Sequence, residues 1–193
     1  MSSYLHDVSA HYAEARDRLG VLTDGMSDET FNAKPSAKGW SVGECVVHLN
    51  TIGKGYLPVL EGAITPAAPR GEGPFRYGWV TRRFIEAVRP GSRPMSTAGS
   101  MKPPPATGLR SDIDRERALS RFDADVERFI ALCTEADGVD VGRIKVSSPF
   151  LPILRLPVGG FLEALGLHAV RHVGQAERAA QAADAASGQA ASG

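Results

Sequence analysis

At 193 residues, with 42% apolar content, the chain suits one domain with one core. Lysine plus arginine and aspartate plus glutamate each number 22, so zero net charge gives no general pull toward nucleic acid or an anionic membrane. No basic stripe or reader motif points to nucleic acid, and no uninterrupted apolar run of about 18 residues spans a bilayer.

Residues 2–20 read as a first helix, because Leu5, Val8, Tyr12, Ala15, Leu19 and Leu22 recur on one side opposite Glu14, Arg16 and Asp17. The opening "MSSYLHDVSAHYAEARDRLG" carries early charges, unlike a secretory signal. "TDG" at 23–25 ends the helix, "SDETFN" supplies a short turn capped by Ser27, and "KPSAKG" is turn chemistry. Ser41 and Glu44 make a capping box for a second helix, expected to run to about Tyr56, where Pro58 interferes. Residues 61–74 form a loop, and 75–88 suit another helix with Phe75, Trp79, Val80 and Phe84 as its apolar side. Residues 89–110 hold five of the 13 prolines and read as an extended connection, long enough to cover something.

A third major helix over 111–137 carries Ile113, Leu119, Phe122, Val126, Phe129, Ile130 and Cys133, with Ser111 and Asp114 as its start signal and Gly138 as its stop. Residues 139–160 read as irregular and apolar, packed across the bundle mouth. The last helix is expected from near Pro157 to about Ala183. Residues 184–193 read as a disordered low-complexity tail. The expected fold class is all-α: one domain over 1–183, an up-and-down four-helix bundle with long crossover loops and an extra short helix. Cys45 and Cys133, far apart and without a CxxC, form neither a disulfide framework nor a thiol–metal motif. A cytoplasmic protein with reduced thiols is the expectation.

Three of the five histidines stand out. Val42, Cys45, Val46, Leu49 and Ile52 define the buried arc of the second helix, and His48 falls at its rim. In the last helix, Phe161, Ala164, Leu165, His168, His172, Gln175 and Ala179 share one side, so His168 and His172 stack one turn apart. Two imidazoles so placed can both reach one ion about 2.0–2.1 Å from each nitrogen, and a third from a neighbouring helix completes a His₃ face with open positions. The competing reading is a set of core histidines whose nitrogens are satisfied by backbone or water. His6 and His11 lie off the first helix's stripe and read as solvated.

"WSVGECVVHL" at 40–49 resembles the W-S-x-x-E-x-x-x-H-L signature of the DinB-like four-helix bundles, a family of metal-binding bacterial proteins. "HAVRHVGQAER" at 168–178 is similar to that family's terminal H-x-x-x-H-x-x-Q-x-x-R, and the likeness extends in helix order from the first helix to about Arg178. The resemblance implies that His48, His168 and His172 are ligands of a divalent transition metal, with zinc, nickel or iron all compatible. It also implies a relationship to thiol-dependent S-transferases and isomerases, some using a low-molecular-weight thiol as cosubstrate, and to pairing as homodimers. Gly160 departs from the pattern, since many relatives have a polar or acidic residue there.

Around these ligands, Glu44 is either only the capping-box acid or a catalytic carboxylate that orients a ligand or accepts a proton. Gln175 either bonds into the site as a catalytic residue or simply ends the bundle. Arg171 and Arg178 either attract an anionic substrate or stay solvated. Cys45 reads as a small core residue, and Trp40 and Trp79 as packing anchors. The expected function is a metal-dependent enzyme, a thiol S-transferase or hydrolase acting on a small molecule. The alternative is a non-catalytic metal- or ligand-binding stress-response bundle.

Overall fold

The computed structural model describes residues 1–93 and 99–190. Its long helices are α1 (Ser3–Thr23), α3 (Val42–Glu61), α5 (Arg115–Glu135) and α6 (Val158–Ala190), with shorter α2 (Asp28–Asn32) and α4 (Trp79–Val88) between them. This is the all-α four-helix bundle with long crossovers and extra helical segments that the periodicity called for. Consecutive helices are not all neighbours. α1 packs beside α5 and α6, and α3 packs beside the same two. The 24–41 and 136–157 connections therefore each cross the bundle diagonal. Among the described residues, no helix is long and apolar enough to cross a membrane.

The stripes read from the sequence bury as one core. Leu5, Val8, Tyr12, Ala15 and Leu19 of α1 meet Phe122, Val126, Phe129 and Cys133 of α5 and Phe161, Leu162 and Leu165 of α6. The Tyr12 ring stacks on Phe129 with centroids 4.8 Å apart. Its buried hydroxyl donates to the Leu162 carbonyl at 2.7 Å, which satisfies the one polar atom that ring brings inside.

The second helix starts as expected. The Ser41 hydroxyl accepts from the Glu44 N–H at 3.0 Å, and Glu44 accepts from the Ser41 N–H at 2.8 Å. It does not stop at Tyr56: Pro58 lies inside α3, which continues to Glu61. Pro58 and Lys54 are exposed, so the carbonyl that loses its partner faces water, while buried Leu57 and Leu60 hold the last turn against the core. Asp114, not Ser111, caps α5, accepting from the Arg117 N–H. Ser111 instead lies buried, bonded to Ser41 and Asn32.

Two further expectations need correction. Residues 75–78 are not helical, and α4 begins at Trp79 with Thr81, Ile85 and Val88 as its buried side, leaving Trp79 69% and Val80 53% exposed. Trp79 is therefore no packing anchor. Residues 139–160 are not wholly irregular, because β1 (Lys145–Ser147) and β2 (Arg155–Pro157) pair antiparallel, with Val146 opposite Leu156. Pro157 ends that strand, and α6 starts one residue later. The expected helix end near Ala183 is passed by seven residues, since α6 runs to Ala190 through an alanine-rich stretch of high helix propensity. The 94–98 part of the expected proline-rich connection and residues 191–193 of the expected tail lie outside the described residues.

The departure at Gly160 has a packing cause: a Cβ there would run into the Cγ2 of Thr81, a buried β-branched side chain on α4. Gly160→Ala is expected to lose stability. Overpacking of about 1–3 kcal/mol outweighs a helix-propensity gain of about 1 kcal/mol. A lower midpoint in urea unfolding checks this, and an unchanged or higher midpoint contradicts it.

Candidate metal centre

His48 sits one turn past the capping box on α3, and buried Cys45, Leu49 and Ile52 beside it fix that face inward. His168 and His172 project from α6 next to buried Leu165, Ala169 and Val173. The ligand-capable nitrogens of the three rings lie within 4.8 Å of one another. The Nε2 atoms of His48 and His168 are 3.1 Å apart. Two nitrogens bound to one ion at about 2.0–2.1 Å, at tetrahedral to octahedral angles, stand about 2.9–3.4 Å apart, so this pair already has ligand spacing.

Protonation favours the same use. Burial is the leading cause of a lowered pKa at all three rings. His168 is pushed down to about 3, helped by its neighbours His48 and Arg171. His172 falls well below its ordinary value, with His168, His48 and Arg171 adding to burial and Gln175 opposing. All three are neutral at physiological pH, the form that binds metal. His48 Nδ1 donates to the Met101 carbonyl at 2.7 Å, which fixes the tautomer and leaves the Nε2 lone pair facing the cluster. Among the described residues, the Nδ1 atoms of His168 and His172 are buried without a hydrogen-bond partner. His168 faces the cluster through Nε2, so the unpartnered nitrogen open to an ion is that of His172. The donor set fits a borderline divalent ion such as zinc, nickel or iron(II).

Trp40, the first residue of the "WSVGECVVHL" segment, packs over the cluster. Its ring centroid is 5.0 Å from that of His48 and 5.7 Å from that of His172, nearly parallel to the latter at 21°. The histidines open onto a cavity of about 660 Å³ that Met101, Tyr56, Phe84, Phe150 and Leu154 help to wall. Met101 comes from the expected covering connection, and Phe150 and Leu154 from the β1–β2 turn. Gln175 lines the cavity and sits close to His172.

Glu44 does not line the cavity. Its carboxylate makes a nearly buried ion pair with Lys34 at 2.8 Å and completes the capping box. Arg171 lines the cavity, whereas Arg178 is exposed. Cys45 and Cys133 are buried free thiols raised by burial, Cys133 to about 12, and neither lines the cavity. His6 is exposed, while His11, read as solvated, is half-buried. Sequence reasoning missed the Met101 carbonyl and the two cavity lysines, Lys38 and Lys102. The only signal for them was the length of the proline-rich connection and the turn before Trp40.

No protein of curated function and no solved structure gives a significant match to the chain. The family model of the DinB superfamily matches residues 11–176, a span holding Trp40, the three histidines and Gln175. That match covers most of a bundle whose two histidine-bearing helices meet at one point, and the chain belongs to the DinB superfamily.

Proposed function

We propose that the protein is a divalent-metal-dependent enzyme in which His48, His168 and His172 hold one zinc, nickel or iron(II) ion beside a cavity for a small-molecule substrate. The observation that carries this reading is the meeting of three neutral imidazoles from two helices, with two Nε2 atoms 3.1 Å apart, at the wall of a cavity of about 660 Å³. Such an ion, when bound, is a Lewis acid that lowers the pKa of a thiol or a water at the site.

The chain's own residues supply placement. The Met101 carbonyl holds the His48 ring in the tautomer whose Nε2 faces inward, and Trp40 packs against two of the three rings. Phe84, Phe150 and Leu154 keep much of the cavity apolar and limit water. Among the described residues lining it, none is a carboxylate, so no acidic side chain is placed to take a proton there. That favours a nucleophile which ionises readily, a low-molecular-weight thiol with pKa near 8.5, over water. Of the two chemistries, S-transfer therefore fits better than hydrolysis. A cytoplasmic setting, where Cys45 and Cys133 stay reduced and such thiols abound, goes with this reading.

The absence of a carboxylate from the described lining also favours one other reading, a metal- or ligand-binding bundle without turnover. Consumption of a small thiol by an electrophile separates the two. Zinc-, nickel- or iron(II)-loaded protein is expected to accelerate it, and His168→Ala to return the rate to background. Equal rates for the loaded protein and the variant would leave only the binding reading.

A further inference from the structure

We propose that the cavity takes an anionic ligand with an apolar body, a carboxylate on an aliphatic or aryl frame, and that Arg171 is the residue selecting its negative end. The inference rests on the reading of this cavity as the substrate site and names the substrate class.

The cavity's charge is one-sided. Lys38, Lys102 and Arg171 line it, and among the described lining residues no aspartate or glutamate faces them. None of these three cations pairs with a carboxylate elsewhere among the described residues. Other cations, Arg82, Arg143 and Arg155 among them, also lack an acidic partner among the described residues; what sets these three apart is that they share one cavity whose described lining holds no carboxylate. Arg171 is half-buried, and its contacts are the Ala87 carbonyl at 3.0 Å, the Ser92 hydroxyl at 2.6 Å and the Arg93 carbonyl at 3.3 Å. Those bonds anchor the guanidinium without neutralising it, and they leave two of its five N–H donors unassigned.

Of the three cations, Arg171 is the half-buried one and its charge acts on both His168 and His172. Lys102 follows the residue whose carbonyl holds His48, Lys38 lies two residues before Trp40, and both lysines are exposed. With neutral imidazoles as the only protein ligands, a divalent ion would add to this positive charge instead of cancelling it. Much of the remaining lining is apolar, with Phe84, Val88, Phe150, Leu151 and Leu154 among it. The volume of about 660 Å³ lies within the range that holds a small organic molecule. A carboxylate at the guanidinium with its carbon frame along the aromatic and aliphatic side chains answers both kinds of lining residue. An ammonium ligand would meet like charge, and a neutral one would leave Arg171 without its anion.

The test compares octanoate, 1-octanol and octylammonium by calorimetric titration of zinc-loaded protein. Octanoate is expected to bind most tightly. Arg171→Gln is expected to weaken octanoate by about 10–100-fold, the worth of a charge-assisted hydrogen bond, while leaving 1-octanol unchanged, and Arg171→Lys to retain most of the preference. If the glutamine variant does not fold, Lys102→Gln with added salt serves instead, and a smaller loss of octanoate binding alone is expected. Equal binding of octanoate and 1-octanol overturns the proposal. The same titration of chelator-treated protein separates this inference from the metal reading. Anion preference that survives zinc removal and falls in Arg171→Gln supports it. Preference that vanishes with zinc and ignores Arg171→Gln assigns the anion to the ion, overturning this inference and leaving the metal site standing. A protein that takes up no zinc yet prefers octanoate would remove the metal reading alone.

Discussion

His168→Ala is expected to cut zinc affinity by about 100-fold or more, because one protein ligand of a site worth about 10–16 kcal/mol in a four-ligand case contributes about 3 kcal/mol. His168 is the ring whose Nε2 already stands 3.1 Å from that of His48, so its loss removes that pair across the two helices. The readout is built into the molecule. Of the two tryptophans, Trp40 packs on His48 and His172, while Trp79 stands 69% exposed on α4. Zinc added to chelator-treated protein should change the emission of Trp40. The titration should shift to higher concentration in His168→Ala and disappear in Trp40→Phe. Helical content by circular dichroism should stay unchanged, since α6 is held along its length by Phe161, Leu162, Leu165 and Val173. An equal zinc affinity in the alanine variant would remove His168 from the site.

The second expectation concerns the metal-free protein and acid. In the unfolded chain the three histidines take up protons near the usual value of about 6.5. In the folded chain burial holds them neutral further down, to about pH 3 for His168. Between those limits the unfolded state binds more protons, so stability rises with pH across the window. The contribution is fully present above about pH 6.5 and is lost as the pH falls toward about 3, amounting to several kcal/mol. Asp125 and Glu163 have raised pKa values, chiefly from burial, and act with the opposite sign at lower pH. The informative quantity is therefore the difference between wild type and His168→Ala, in which those terms cancel. Urea unfolding at pH 7.5, 6 and 5 with chelator present should show wild type losing stability faster than the variant. Parallel slopes would mean that His168 titrates in the folded protein as it does in water.

Much of this was legible in the chain because it depends on local spacing. The Ser41–Glu44 box, the apolar stripes and the one-turn stacking of His168 over His172 follow from a helical repeat, and each appears where the repeat puts it. The inward placement of His48 followed from its neighbours Cys45 and Ile52 in the same way. What escaped depends on contacts between distant segments. Pro58 is tolerated because its side of α3 faces water. Trp79 is exposed because Gly160 lets Thr81, rather than the tryptophan face, close on α6. The Glu44 carboxylate is paired with Lys34, brought near it by the turn that precedes Trp40. The partner of His48 is a backbone carbonyl 53 residues along the chain, and a carbonyl carries no mark in a sequence. Arg171 shows the same limit from the other side: its place on the last helix was plain, but its lack of an acidic partner emerged only from the packing of α6 on α4.

The most direct measurement of the shared cation is elemental analysis of untagged protein, paired with anomalous scattering at the absorption edge of the metal found. One zinc, nickel or iron per chain is expected, with the anomalous peak between His48, His168 and His172. Protein with all three histidines intact and no stoichiometric metal, or a peak away from those rings, would contradict a metal centre at this site.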